Sequence, residues 1–435
     1  MKAPSTLAWL VPCLFGMSFH AATADYAIVD DARLKALIEE ALERNPAVQA
    51  AVWSETATRE QIPAAGALPD PTLQLTGFAQ PPQTRVGPQV SGLAINQRVP
   101  WFGKRADRAE VTTVQADIQR EIAAARRADV VRQVKVAYYE LAFLDRAIGI
   151  AGEERELLEH YESLARARYS QGIGLQQAVV KLQAEITRVL NRRQELTRQR
   201  IDVESRLNAL RDRPAHVGIP DVKLAELPRV ALDEDRTLAI GRANAPEVKA
   251  AALAVEANEV DVRLAERRYW PDLVLGGTWG RIRARDDQPG RSNPPPDNGK
   301  DTLGLTVGIN IPLHRGIYDA GVRVAVARRS AAQRNHRLAL NGVDQAVRST
   351  GFALTTIEAQ IALYENALVP QAEQALAATE EAYATGTTGV LDLLDSEEML
   401  LDVRLGLVRL RADYMQALAD MERAIGAPFP MRRQK

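Results

Sequence analysis

The chain has 435 residues, of which 46% are hydrophobic, 26% charged and only 5% aromatic. The length would allow about three ordinary domains, but apolar content this rich in aliphatic residues and Ala suits long, closely packed helices better. Lys+Arg 55 against Asp+Glu 56 leaves a net charge of -1 with no concentrated basic stretch, which excludes nucleic acid as a partner, and one Cys with five His excludes a zinc ribbon, an iron–sulfur centre or a disulfide framework.

The N-terminus reads as a secretory signal over residues 1–24. Met1-Lys2 supplies the positive end, Leu7 to Phe19 the apolar stretch, and Ala22-Thr23-Ala24 the small residues before a cut at Asp25. Cys13 follows Pro12, a poor context for acylation, and is read as a residue of the signal alone. No later stretch reaches the ~18 uninterrupted apolar residues of a membrane helix, so membrane contact by the exported chain requires strands or a surface.

One plan is then written twice, over residues 25–228 and 229–435. Asn45-Pro46-Ala47-Val48-Gln49-Ala50-Ala51 matches Ala245-Pro246-Glu247-Val248-Lys249-Ala250-Ala251. Further on, Pro69-Asp70 matches Pro271-Asp272, Pro100 matches Pro312, Tyr169 and Gly172 match Tyr383 and Gly386, and Pro214 matches Pro428. Two copies explain the length better than three domains do.

Each copy opens with a predicted helix, Asp31 to Ala65 and Glu234 to Tyr269. Period-2 stretches follow: Thr72–Ala79 and Val90–Val99 in the first copy, Asp272–Ile282 and the segment from Asp301 to Ile311 in the second. In the last of these, Leu303, Leu305, Val307, Ile309 and Ile311 alternate with Thr302, Gly304, Thr306, Gly308 and Asn310, a strand with one apolar face. Gln80–Gln89 and Arg283–Lys300, made of Pro, Gly and charge, are expected to be exposed loops without structure.

Helical stretches with almost no breakers come next, Gly103 to Arg168 and Gly316 to Ala384, each ~100 Å long or slightly more at 1.5 Å per residue. Val130, Val134, Ala137, Leu141, Leu144 and Ile148 step by four and three, a coiled-coil seam, as do Leu400, Val403, Leu407, Leu410, Tyr414, Ala417, Met421 and Ala424. Gly149, Gly152 and Pro370 are expected to weaken or kink these helices without ending them. Gly-containing turns, Tyr169 to Gly174 and Tyr383 to Gly389, reverse the chain into return helices that end near Pro214 and Pro428.

Four strands of about ten residues match the length of tilted transmembrane strands. They cannot close a barrel alone, and lipid forbids open edges, so several chains must share one barrel. A soluble sheet packed on helices fits the same alternation.

The duplicated plan, the Asn45-Pro46 and Pro246 helix starts and the Gly-containing tips resemble the outer-membrane efflux protein family, the TolC-like outer membrane factors. The closest local match is Tyr383-Ala384-Thr385-Gly386-Thr387 running into Val390-Leu391-Asp392-Leu393-Leu394-Asp395. The resemblance spans about Leu34 to Pro428 and implies a mainly α fold with a β-barrel part: a homotrimer with four transmembrane strands per chain, twelve in one outer-membrane barrel, continued by a helical tunnel across the periplasm. It further implies a passive exit channel for a tripartite efflux system, serving an inner-membrane transporter of the RND type through a periplasmic adaptor.

The lipid-facing residues are then Leu303, Leu305, Val307 and Ile309. The adaptor-docking tips are Gln171, Gly172 and Gly174 with Gly386, Thr387 and Gly389, and the gate is Asp392 with Asp395. Gly66-Ala67-Leu68-Pro69-Asp70-Pro71 and Val99-Pro100-Trp101-Phe102-Gly103-Lys104 resemble the branch serving heavy-metal efflux. The type member holds its closed tip partly with an Arg in the second turn and an Asp after the first; the matching positions here are Thr388 and Ala178, which cannot form that lock.

Enzymatic chemistry is not written in the chain. His160, His216, His314 and His336 are scattered, and His160 has an acid, Glu156, one turn away. No nucleophile elbow, P-loop or zinc-protease signature occurs. The Glu153-Glu154, Glu380-Glu381 and Glu397-Glu398 pairs are adjacent in sequence, so the members of each pair point apart on a helix. An enzyme, a cofactor and a resident metal are therefore not expected. The alternatives left open are the outer-membrane channel of a type I protein secretion system and a soluble periplasmic coiled-coil scaffold.

Overall fold

A computed structural model describes residues 31–224, 227–228 and 232–429. The signal peptide and Cys13 lie outside the described residues, as does part of the link between the two copies. Asp31 caps α1 (Ala32–Arg44), accepting from the Arg33 and Leu34 N–H groups at 2.9 and 3.2 Å. Leu34, Leu37, Ile38 and Ala41 bury its one apolar stripe.

The expected single helix ends at Asn45. That side chain caps α2 (Pro46–Gly66) through the Ala47 and Val48 N–H groups, and Pro46, which has no N–H to donate, fits the first helical position. In the second copy α5 (Glu234–Asn244) and α6 (Pro246–Arg267) divide at Ala245-Pro246 in the same way, with no side-chain cap.

The strands are β1 (Thr72–Gly77), β2 (Gln83–Thr84), β3 (Gly87–Val99), β4 (Leu273–Ile282) and β5 (Thr302–Ile309). The expected β5 was too long, since Ile311 lies past its end. The four long strands form an antiparallel sheet in the order β1-β3-β4-β5. β2 is a two-residue addition paired with the start of β3. The loops are also less free than expected. Gly299 donates its N–H to the Val86 carbonyl at 2.7 Å, Arg283 donates to Pro88 at 2.9 Å, and a short α7 (Gln288–Ser292) is capped by Asp287. Gly87, at φ 132, lies so close to the Arg283 carbonyl that a Cβ there would clash.

The helical part is α3 (Lys104–Ser170) and α4 (Gln176–Leu210) in the first copy, α8 (Arg315–Leu363), α9 (Val369–Thr385) and α10 (Val390–Ile425) in the second. Gly149 and Gly152 leave α3 unbroken. A π-helical turn at Tyr364–Leu368 joins α8 to α9 and absorbs Pro370, whose missing N–H would otherwise break the ladder. Tyr364 there seats against α10 so closely that a Cβ at Gly406 would lie 2.8 Å from its ring.

On α3 the buried seam runs Val130, Val134, Ala137, Leu141, Leu144, Ala147, Ala151, Glu154, Leu158, Tyr161 and Ala165. The expected Ile148 is only half-buried. Two steps of three meet at Leu144, which rotates the seam by about one position while keeping the heptad beyond it. Two cores result, one around Leu34, Leu141, Leu207 and Met421, the other toward the turns around Leu158, Leu182 and Leu393.

Helix order mirrors strand order. α2 packs on α3, α3 on α6 and α6 on α8, and each helix adjoins its strand in sequence: α2 before β1, α3 after β3, α6 before β4, α8 after β5. The edge helices carry unpartnered heptads. On α2 these are Ala50, Trp53, Ala57, Glu60 and Ala64; on α8 they are Ile317, Val324, Ala331, Leu338 and Phe352, spaced by multiples of seven. Trp53 is 70% and Phe352 75% exposed.

Candidate functional site

Cross-strand partners share a face of a sheet. Through the pairs Leu73↔Ile95, Leu75↔Leu93, Leu93↔Trp279, Leu275↔Val307 and Trp279↔Leu303, the register collects most of the large apolar residues of the four long strands on one side, Val274, paired with Arg98 and Gly308, being on the other. Leu303, Leu305, Val307 and Ile309 stand on that side, Leu305 being 90% exposed. The other side carries Thr72, Gln74, Asn96, Thr278, Thr302 and Thr306 among glycines. Those glycines leave room for polar neighbours: a Cβ at Gly276 would sit 2.4 Å from Asn96 Oδ1, and one at Gly280 2.5 Å from Thr302 Oγ1.

Where strands become helices, the chain concentrates charge and aromatic rings. The buried Asp272 carboxylate accepts from Lys104 Nζ at 2.8 Å, the Trp101 N–H at 3.0 Å and Arg98 Nη2 at 2.7 Å. Lys104, also buried, donates as well to the Trp270 carbonyl at 2.7 Å. Burial pushes the Asp272 carboxyl up, but Lys104, the Trp101 N–H and Arg98 outweigh it and hold the group below its ordinary value. Trp101 stacks on Trp270 at 5.4 Å, and Arg267 and Arg263 pair with Asp107 at 2.8 and 3.2 Å. Gly103 makes the turn into α3 at φ 83, against Arg267.

The Val99–Lys104 and Pro271-Asp272 motifs are each legible in the sequence, but their meeting is not. Pro69-Asp70 and Pro271-Asp272 are equivalent positions of the two copies, yet Asp70 is exposed and Asp272 is the buried hub. A Lys and an Asp each set among aromatic and Pro residues is the signal that could have suggested the pair.

At the far end, the expected tip residues are turn residues in both hairpins. Gly172 has φ 76 and Gly386 φ 81, left-handed conformations that end α3 and α9. Gln171, Thr387 and the apolar Ile173 and Leu175 are exposed. Gly174 packs so closely on α3 that a Cβ would lie 3.0 Å from both Arg168 Cβ and the Tyr169 nitrogen. Arg168 ties the tips together, donating to the Ala384 carbonyl at 2.6 Å with its guanidinium 4.7 Å from the centre of the Tyr383 ring.

Gly389 stands at the N-cap of α10, and its N–H donates to Asp392 Oδ2 at 3.3 Å. Thr388 also donates its hydroxyl to Asp392. These two bonds hold the Asp392 carboxyl below its ordinary value, so Asp392 acts as a helix cap as well as an exposed acid. Asp395, one turn on, is exposed. Ala178 is half-buried against the tip-side core. Among the described residues, no group of three or more His, Cys, Asp or Glu side chains is placed to hold a metal ion, and no helix is long and apolar enough to cross a membrane.

A sheet with one apolar face and open edges, continued by two helical hairpins, is joined by a family match: the model described as outer membrane efflux protein covers residues 37–212 and 240–427. The chain belongs to the outer membrane efflux protein family. The efflux protein is 22% identical over 346 residues to the outer membrane protein TolC of Vibrio cholerae serotype O1, covering 76% of this chain and 74% of that one. Its fold is similar to that of the outer membrane protein VceC from Vibrio cholerae, at a TM-score of 0.75 and 22% identity over 92% of this chain and 97% of the other. It is similar also to CusC, a transmembrane channel, at 0.73 and 18% identity over 98% and 99%. The efflux protein is thus an outer-membrane channel and not an enzyme, with its helical part in the periplasm and the fold of a trimeric α/β-barrel tunnel. A soluble scaffold is excluded.

Proposed function

We propose that the protein is the exit duct of a tripartite efflux system, built as two repeats behind a cleaved signal peptide. It passively conducts substrates handed on by an inner-membrane transporter of the RND type through a periplasmic adaptor. The observation that carries this reading is the coincidence of strand and helix order. β1 and α2 form one edge of the protomer, β5 and α8 the other, and each edge is left with unpaired backbone or an unpartnered heptad. Pairing β5 of one copy with β1 of the next brings the α8 stripe toward Trp53 of that copy, so three copies close sheet and helices together. The apolar face, Leu303, Leu305, Val307 and Ile309 included, then meets lipid. Heavy-metal cations are the proposed cargo, on the likeness of the Gly66–Pro71 and Val99–Lys104 motifs. Export from inside-out reconstituted assemblies loaded with candidate cations tests it; export of proteins but not of ions sinks it.

The tips are the proposed adaptor dock, supported by their distance from the sheet and by the exposed Ile173 and Leu175. Cysteines placed at Gln171 or Thr387 are expected to crosslink to the adaptor in cells. Reaction of those cysteines with impermeant reagents outside intact cells would mean the opposite topology.

The proposed gate is Asp392 with Asp395. Three apart on α10, they share a face, and in a trimer they supply ~six carboxylates in two rings that attract cations. Because Asp392 also caps its helix, Asp392→Asn/Asp395→Asn is the cleaner test, keeping an acceptor at the cap. Block by multivalent cations and cation selectivity should both fall in planar bilayers while the trimer persists. Unchanged block would reduce both residues to helix-terminal acids.

A further inference from the structure

Two carboxylates occupy apolar seam positions in the tip-side core. Glu154 continues the α3 seam between Ala151 and Leu158, and Glu397 continues the α10 seam between Leu393 and Leu400, both at heptad steps of three and four. They are 8% and 7% exposed, and Glu154 Oε2 has no hydrogen-bond partner. Their surroundings do not neutralise them. From α4 come Glu185 and the exposed Arg192, and from α10 Glu398, Asp402 and Arg404; on α3, Tyr161, whose hydroxyl donates to Glu380 of α9, also faces Glu397. Acids outnumber cations where α3 of one hairpin packs on α10 of the other. Each residue belongs to a Glu-Glu doublet whose members point apart on the helix, and the fold brings together one member from each of two doublets.

A charged side chain at a coiled-coil seam opposes packing, whereas a protonated carboxyl can remain and donate a hydrogen bond. We propose that Glu154 and Glu397 are a proton-operated latch between the two hairpins: protonated, they hold α3 on α10, and ionised, they drive water into the seam and free the tip halves to separate. The protons come from the periplasmic solvent, so the latch reads periplasmic pH.

Burial pushes both carboxyls up to about 7 in the packed seam. Arg192 pulls against this in both, and Arg404 at Glu397. Repulsion from Glu185, Asp402 and Glu398 at Glu154, and from Glu154 and Glu398 at Glu397, adds to it. In an opened, hydrated seam they return to the ordinary 4.5. The packed state binds protons more tightly, so its advantage is complete below pH about 4.5 and is lost as pH rises through about 7. For one independent carboxylate with these two values, the open-to-packed ratio rises about ten-fold between pH 6 and pH 8.

The test uses the full-length trimer. Amide hydrogen exchange of α3 and α10 around the two residues, corrected for the intrinsic pH dependence of exchange, should show protection falling several-fold from pH 6 to pH 8. Planar-bilayer conductance should rise over the same range. Glu154→Gln/Glu397→Gln, neutral at every pH, should keep the protected, low-conductance state throughout. A double variant that follows the unchanged protein's pH profile overturns the latch. So does a pH-independent unchanged protein, or loss of the trimer in the variant, since neutral seam residues should pack at least as well. The exchange measurement does not depend on the efflux reading, so a latch without efflux and efflux without a latch are distinguishable.

Discussion

Asp272→Ala is expected to cost about 3–5 kcal/mol, the largest loss for any single side chain at the junction of sheet and helices. Among the described residues the carboxylate is the only anion holding the buried Lys104 ammonium, and without it Nζ keeps, of those contacts, the Trp270 carbonyl. The Trp101 N–H loses its acceptor in the same step. The two contacts join the strand–helix turn at Trp101 to the start of β4, so the variant should loosen the barrel from the tunnel instead of unfolding the hairpin tips. Thermal stability of the trimer, followed by retention of its electrophoretic mobility, gives the magnitude. Asp272→Asn should cost less than Ala, because its amide oxygen still accepts. Asp272→Ala/Lys104→Met should recover part of the loss by removing the stranded cation. If that double change is as damaging as the single one, the damage comes from altered packing and not from an unpaired charge.

Leu305→Arg, at the middle of β5, is expected to cost about 2–4 kcal/mol at mid-membrane and to impair barrel assembly. Leu305 pairs with Gly277, on the side where Leu275, Trp279 and Val307 also stand. Thr306→Arg, the next residue on the opposite face and paired with Gly276, should be much milder, because a wet lumen accepts the charge. The comparison holds strand, introduced side chain and approximate depth constant and changes only the face. Heat-resistant trimer recovered from outer-membrane fractions is the readout, and equal tolerance of both substitutions would remove the membrane assignment of β5.

The sequence alone determined the periodic features. Alternation along β5, the three-and-four spacing of α3 and α10, and glycines at both turns are local signals, because side-chain direction follows from backbone period within a single element. These, with the recurrence of Pro-anchored motifs, were enough for a helical hairpin and strand plan and for a family resemblance. What stayed hidden was pairing. The cap formed by Asn45, the shift of the α3 seam at Leu144, the loop-to-loop bonds through Val86 and Gly299, and the difference between Asp70 and Asp272 each depend on which distant segment arrives beside them. The adjacent glutamates show this most sharply. Helix geometry correctly separates Glu153 from Glu154 and Glu397 from Glu398, and nothing in either doublet tells that Glu154 and Glu397 will enter one seam from different hairpins. That was decided by the docking of α3 on α10, because burial and charge repulsion act through space and a one-dimensional pattern holds no distance between chain segments.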